Sequence, residues 1–245
     1  MTSILQTDNP HGAESWVRAA KDSGLRVMVG IAVGGKRFFE SLTEHAHKLG
    51  FLDKNVSCGH CVWMSDNDID LIEQSGASVV TNPASNLRLL SGVAPIAKMV
   101  KKGINVAIGM DGLAFNDDED IFAEMKLCWY IHKGVGKTPE GITSEDVFRM
   151  GTINGARALG IDAVTGSLKV GKQADVVLID LANIEGVFLN DNIGIVDALL
   201  IRGRASDVDT VMVSGEVLYS GGKFTRHDDK EIIRKLRESI KTKKN

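Results

Sequence analysis

His60, Asn82 and Asp111 each stand where an apolar, β-branched run gives out. The gaps between them, 22 and 29 residues, are each the length of one strand plus one helix plus their loops. In a parallel β/α sheet all strands point their C-terminal ends to one face, so residues separated by whole units meet there. An imidazole and a carboxylate brought together in that way can pass protons or hold a divalent metal. Each also has an ordinary explanation: a strand-end Asp caps a following helix, and a strand-end His satisfies a carbonyl. The spacing alone leaves both open.

The elements that would position these residues are legible as patterns. Leu25–Val33 reads as a buried strand, and Lys36–Leu49 as a helix ended by Gly50. Asn55–His60 is a short strand, and Ser65 and Asp66 can cap a helix running to Ser75 and stopping at Gly76. Ala77–Thr81 is a strand, Ala94–Lys102 a helix, Ile104–Met110 a strand and Glu119–Lys133 a helix. Strands apolar along their whole length suit a parallel sheet covered on both faces. Four such units in a row predict α/β architecture. Thr143–Leu159 reads as one further helix with Ser144 as N-cap. After Gly160 the pattern turns β-rich. Gly166–Asp180 reads as a turn-linked pair of strands, and Val208–Val213 with Glu216–Tyr219 flank a Ser214-Gly215 hairpin signal. Asp228–Lys244 is an amphipathic terminal helix with Ile232, Ile233, Leu236 and Ile240 on one face. The expected organisation is 1–165, 166–224 and 225–245.

Composition narrows the function. The chain has 245 residues, 43% hydrophobic and 25% charged, which excludes disorder and collagen-like repetition for its bulk. A net charge of −3 gives no global field for nucleic acid or an anionic membrane. No apolar stretch approaches the roughly 20 residues of a membrane span, and the opening residues lack a signal-peptide pattern. Three cysteines are not a disulfide framework. The expectation is a cytoplasmic protein.

Several longer motifs carry a resemblance. Gly59-His-Cys-Val-Trp-Met64, Thr81-Asn-Pro-Ala-Ser-Asn-Leu-Arg-Leu-Leu-Ser-Gly-Val-Ala-Pro95 and Ala107-Ile-Gly-Met-Asp-Gly112 closely resemble the amidohydrolase superfamily. The nearest branch holds S-adenosylhomocysteine/methylthioadenosine deaminases, cytosine deaminases and triazine hydrolases. Gly155-Ala-Arg-Ala-Leu-Gly160, Gly166–Asp180 and Val208–Glu216 resemble that branch where its barrel hands over to a small β-sandwich. The resemblance runs from about Gly50 to the C-terminus. It implies a (β/α)8 TIM-type barrel with a sandwich portion, and hydrolysis of a non-peptide C–N bond in a small heterocycle. It implies a zinc or iron cofactor bound by Asp111, which also takes a proton from the metal's water. His60 would contact the developing tetrahedral centre or the leaving group, and Asn82 and Gly112 would border the substrate. Residues 112–116 would help select it.

The departures from the family are equally specific. Its first strand carries a metal-binding His-x-His, and its fifth a His followed three residues later by Glu; neither occurs at a matching place here. His45-Ala-His47 sits inside a helical pattern, where residues two apart do not face each other. His11, His132 and His227 read as structural. Trp16–Val33 resembles the middle of the family's barrel and 34–50 the helix before its sixth strand, so the intervening segments look deleted. The expected fold is therefore an incomplete barrel, and three functional classes stand open. One is a metal-dependent deaminase, impaired in this chain. The second is an inactive remnant, or a subunit completed by a second chain or by another copy. The third, a dithiol oxidoreductase, rests on Cys58-Gly-His-Cys61 alone. An unpaired edge at Leu25–Val33 predicts association.

Overall fold

The computed structural model describes residues 43–44, 46–112, 120–134, 141–185, 193–226 and 228–242. The Leu25–Val33 strand, His11, His45, His227 and residues 113–116 lie outside them. Residues 46–48 are helical and Gly50 leaves that helix at φ +64°, the conformation expected of a glycine at this place.

Three strands, β1 (Ser57–Gly59), β2 (Ser78–Thr81) and β3 (Val106–Ile108), form a parallel sheet in sequence order. Cys58 pairs with Val79, and Val79 with Val106. Helix α1 (Asp66–Ser75) follows β1. Its N-cap Ser65 accepts from the Asp68 amide while Asp68 accepts from the Ser65 amide, and Gly76 ends it at φ +72°. Helices α2 (Pro83–Arg88) and α3 (Ile96–Lys101) lie between β2 and β3, and α4 (Ile121–His132) follows β3. Ile69, Ile72, Val79, Ile96, Met99 and Val106 lie in one buried core.

The helix read over Thr143–Leu159 is two helices, α5 (Ser144–Met150) and α6 (Ile153–Ala158), and its N-cap is Thr143, not Ser144. The Thr143 hydroxyl accepts from the Asp146 amide. The break falls at Gly151 and Thr152. A Cβ on Gly151 would lie 2.6 Å from Met125 Sδ, so α4 presses against the chain there. Splitting the helix frees α6 to cross the N-terminal ends of the strands. Ser57 Oγ donates to Ala158 O (2.7 Å), Asn105 Nδ2 to Asn154 O (3.1 Å), and Asn154 Nδ2 to Val106 O (2.9 Å). One end of the sheet is thus stitched shut, leaving the C-terminal end for chemistry.

A second, antiparallel sheet has the order β4 (Val176–Ile179), β5 (Val208–Val213), β6 (Glu216–Ser220), β7 (Lys223–Phe224). The Ser214-Gly215 hairpin is as expected: both residues have positive φ, 51° and 85°, matching the twist of the flanking strands. Gly166–Asp180 contributes one strand rather than two. Lys172 Nζ donates to Thr165 O (2.9 Å) and Ser167 Oγ (2.8 Å), gathering the first half into a turn. Between β4 and β5 lie α7 (Ala182–Glu185) and α8 (Ile195–Arg202), which the sequence patterns did not reveal. Helix α8 returns to pack on α4 and α5. Helix α9 (Asp229–Thr242) ends the described chain, and its four apolar residues are exposed.

Candidate active site

The strand ends bring the three sequence-marked residues together. The His60 amide still donates to Val80 O (2.8 Å), extending the β1–β2 ladder by one bond. The chain then reverses: the Cys61 amide donates to Gly59 O (2.8 Å) across a three-residue turn with His60 at φ +63°. A γ-turn with positive φ at its centre is rare and strained, and strain of this kind persists where surrounding contacts hold it. Here the imidazole is held. His60 Nδ1 lies 2.7 Å from Asn86 Oδ1 and 3.3 Å from Asn82 Nδ2, and Nε2 lies 3.7 Å from Asp111 Oδ2.

These contacts assign the tautomer. Asn86 Oδ1 can only accept, so its 2.7 Å contact requires a proton on Nδ1, and the Asn82 amide nitrogen at 3.3 Å then makes no hydrogen bond to that atom. The neutral ring then offers a lone pair at Nε2, and the cationic ring an N–H toward Asp111. Asp111 is also at positive φ (62°) and is doubly held: Oδ2 accepts from Ser85 Oγ (2.6 Å) and Oδ1 from the Gly112 amide (2.9 Å). The His60 and Asp111 side chains are each 27% exposed, so a solute can reach them. Ser85, Asn86 and Asn82 beneath them are buried.

Helix α2 builds this floor. Pro83 opens it, and Asn82 occupies its cap position without making a side-chain cap bond. That role passes to buried Glu124 of α4, whose Oε2 accepts from the Ala84 amide (3.2 Å). Asn82 is thereby free to face His60. Gly109 makes room for it, since a Cβ there would stand 2.4 Å from Asn82 Oδ1. Ser85, Asn86, Gly109 and Glu124 were not singled out from sequence. The signal for Asn86 was present: Asn-Pro starts a helix, and Asn82 and Asn86, four apart, share a face.

The described residues do not fit a divalent metal by themselves. Among them no group of three or more His, Cys, Asp or Glu side chains could hold one, and catalytic zinc sites usually use three protein ligands. His60 Nε2 and Asp111 Oδ2 stand 3.7 Å apart at the open end of the sheet.

The parallel sheet, with its polar cluster at the C-terminal strand ends and an antiparallel sheet beside it in sequence, defines an α/β chain. The amidohydrolase family profile matches residues 7–218, and the chain belongs to that family. It is 38% identical over 200 residues to a 5'-deoxyadenosine deaminase of Methanosarcina barkeri, covering 80% of this chain and 45% of that protein. It is 37% identical over 206 residues to a 5-methylthioadenosine/S-adenosylhomocysteine deaminase of Acetivibrio thermocellus, covering 84% and 47%. Among solved structures, a zinc-bound adenosine deaminase from Xanthomonas campestris superposes with TM-score 0.84 at 26% identity, over 98% of this chain and 57% of that one. A triazine hydrolase variant shares the fold at TM-score 0.83 and 22% identity, over 96% and 54%. The chain spans about half the length of the curated relatives it matches. Among the described residues no helix is long and apolar enough to cross a membrane.

Proposed function

We propose that this chain supplies the C-terminal part of an amidohydrolase deaminase acting on an adenosine-type nucleoside or related heterocycle. The observation that carries the reading is the His60 Nε2 to Asp111 Oδ2 approach of 3.7 Å at the open mouth of the sheet. In this reading Asp111 takes the proton from a water attacking the amino-bearing ring carbon. His60 Nε2 receives that proton from Asp111, hydrogen-bonds the tetrahedral centre and hands the proton to the departing nitrogen, which leaves as ammonia. Asn82 and Gly112 border the ring. The relatives, named for 5'-deoxyadenosine and for 5-methylthioadenosine/S-adenosylhomocysteine, support this substrate class.

In this reading the fold is an incomplete barrel: residues 1–165 form its β/α portion, 166–224 the sandwich portion with α8 returning to the barrel side, and 225–245 a terminal helix. The zinc or iron of a working enzyme would draw one ligand from Asp111 and the others from outside the described residues or from a completing chain. A second reading, an inactive remnant, is favoured by the missing three-ligand cluster. Ammonia release from 5'-deoxyadenosine and methylthioadenosine, with and without added zinc, separates the two when measured alone and with a polypeptide carrying the family's His-x-His strand. The first reading expects weak turnover alone and a gain of at least about 100-fold on completion. Silence in both conditions favours the remnant. Strong, chelator-sensitive turnover by the chain alone would overturn the incomplete-site reading.

A further inference from the structure

Two thiols bracket the strained turn at His60. Cys58 in β1 and Cys61 after it are both free and buried. The turn folds the chain back on itself, so that Cys61 Sγ donates to the backbone carbonyl of Cys58 (3.6 Å). Cys-Gly-His-Cys is the sequence pattern of disulfide oxidoreductases, but those place the first cysteine at a helix N-terminus. Here the motif ends a strand, and α1 begins only at Asp66. The geometry lacks the helix that would make the pair a catalyst for other proteins' thiols, while folding Cys61 Sγ back onto Cys58.

We propose that Cys58 and Cys61 are a reversible oxidation site, closing to an intrachain disulfide under a peroxide and moving His60 when they do. The Cys58 thiol loses its proton and its sulfur attacks one oxygen of hydrogen peroxide; the O–O bond breaks, the departing hydroxide takes up that proton and leaves as water, and Cys58 becomes a sulfenic acid. Cys61 then attacks that sulfur, forming the S–S bond, and its proton leaves with the hydroxyl as a second water. The two thiols lose two protons and two electrons, and one peroxide is reduced to two waters.

The surroundings assign the roles. The neighbouring Cys61 side chain holds the Cys58 thiol below its ordinary value, against the effect of burial. Cys61 itself is pushed well up by the Cys58 side chain, by burial, and by the charges of Cys58 and Asp68. Asp68 is buried, and its Oδ1 has no hydrogen-bond partner among the described residues. With Cys61 Sγ folded back onto Cys58 O, we take Cys58 as the attacking sulfur and Cys61 as the resolving one. Cys128 is a built-in control, since burial and the nearby Glu124 push it up to about 12.

The link to His60 is steric. An S–S bond is about 2.05 Å long with a dihedral near 90°. Meeting that geometry takes Cys61 Sγ from Cys58 O and reshapes a turn whose two central residues, His60 and Cys61, are both at positive φ. The 2.7 Å contact from His60 to Asn86 depends on that turn.

The test treats the reduced full chain with hydrogen peroxide and reads intact mass, peptide map and the His60 ring resonances. It is independent of the deaminase reading, because no readout is turnover. The expected result is a loss of about 2 Da, confined to the peptide joining Cys58 and Cys61 and reversed by dithiothreitol. It comes with a shift of the His60 ring signals. Cys58→Ala and Cys61→Ala should each abolish the mass loss, Cys61→Ala leaving a sulfenic acid on Cys58 that dimedone traps. Cys128→Ser should change nothing. No mass loss, over-oxidation of the separate cysteines, or equal reaction at Cys128 overturns the site. A disulfide that leaves the His60 signals in place overturns the coupling.

Discussion

The two sheets differ in how they are covered. In the parallel sheet Val79 and Val106 are shut away beneath α3, α5 and α6, and the polar residues of the site rest on a buried floor. In the antiparallel sheet Val177 and Leu178, neighbours that point to opposite faces of β4, are 52% and 53% exposed. Phe224 and the apolar stripe of α9 are open as well. The described residues therefore give the candidate site its own packing, whereas the second sheet presents apolar area that soluble proteins normally cover.

The largest test of that contrast is a pair of truncations. Leu200→Ala, where α8 buries its side chain against the α4–α5 side, should cost about 2–5 kcal/mol in urea unfolding. Leu178→Ala should stay within about 0.5 kcal/mol. Equal costs would mean that the second sheet is covered after all. A pair of glycines sharpens the point. Gly109→Ala should cost about 1–3 kcal/mol and disturb the Asn82 and His60 signals, because the added methyl meets Asn82 Oδ1. Gly215→Ala meets nothing within 4 Å and should cost about 1 kcal/mol from its backbone alone. If Gly109→Ala leaves His60 unmoved, Asn82 does not set the imidazole.

Smaller effects follow inside the site. Ser85→Ala removes the donor to Asp111 Oδ2 and should lower stability by about 1 kcal/mol, leaving the antiparallel sheet's NMR signals unchanged. The smallest concerns His132 at the end of α4, whose imidazole burial holds below its ordinary value. On unfolding it regains its affinity for protons. The unfolded chain then binds more protons below about pH 6.5, and stability falls as the pH drops through that value. His132→Gln should flatten that slope in urea titrations between about pH 7 and 5; an unchanged slope assigns it elsewhere.

What could be read from sequence follows the physics of each element. The β1–α1 and β2–α3–β3 order was legible because buried parallel strands are apolar throughout and their helices carry local stop signals such as Gly76 and Gly103; the short helix α2 between β2 and α3 was not read. His60, Asn82 and Asp111 were legible because unit-length spacing is a property of the chain. Their distances were not: the 3.7 Å approach depends on two positive-φ residues and on Glu124, 40 residues from Ala84, which caps α2 in place of Asn82. Helix α8 was missed because its mostly apolar run has little polar face to show a period. The false strand in Gly166–Asp180 came from alternation that Lys172 converts to a turn. The helix break at Gly151 answers to Met125, a tertiary neighbour that no local pattern contains.

The backbone at His60 and Asp111 also limits what substitution can teach. Left-handed positions accept glycine freely and asparagine, aspartate and histidine at modest cost, but penalise most other residues. Replacing either by alanine therefore changes two things at once, the functional group and the local energy of the turn. Asparagine is the cleaner replacement, and glycine at 60 opens a space that added imidazole could fill. The same restriction narrows neutral drift: without other changes, these two positions can exchange cheaply only within an alphabet of four residues, three of which carry hydrogen-bonding side chains.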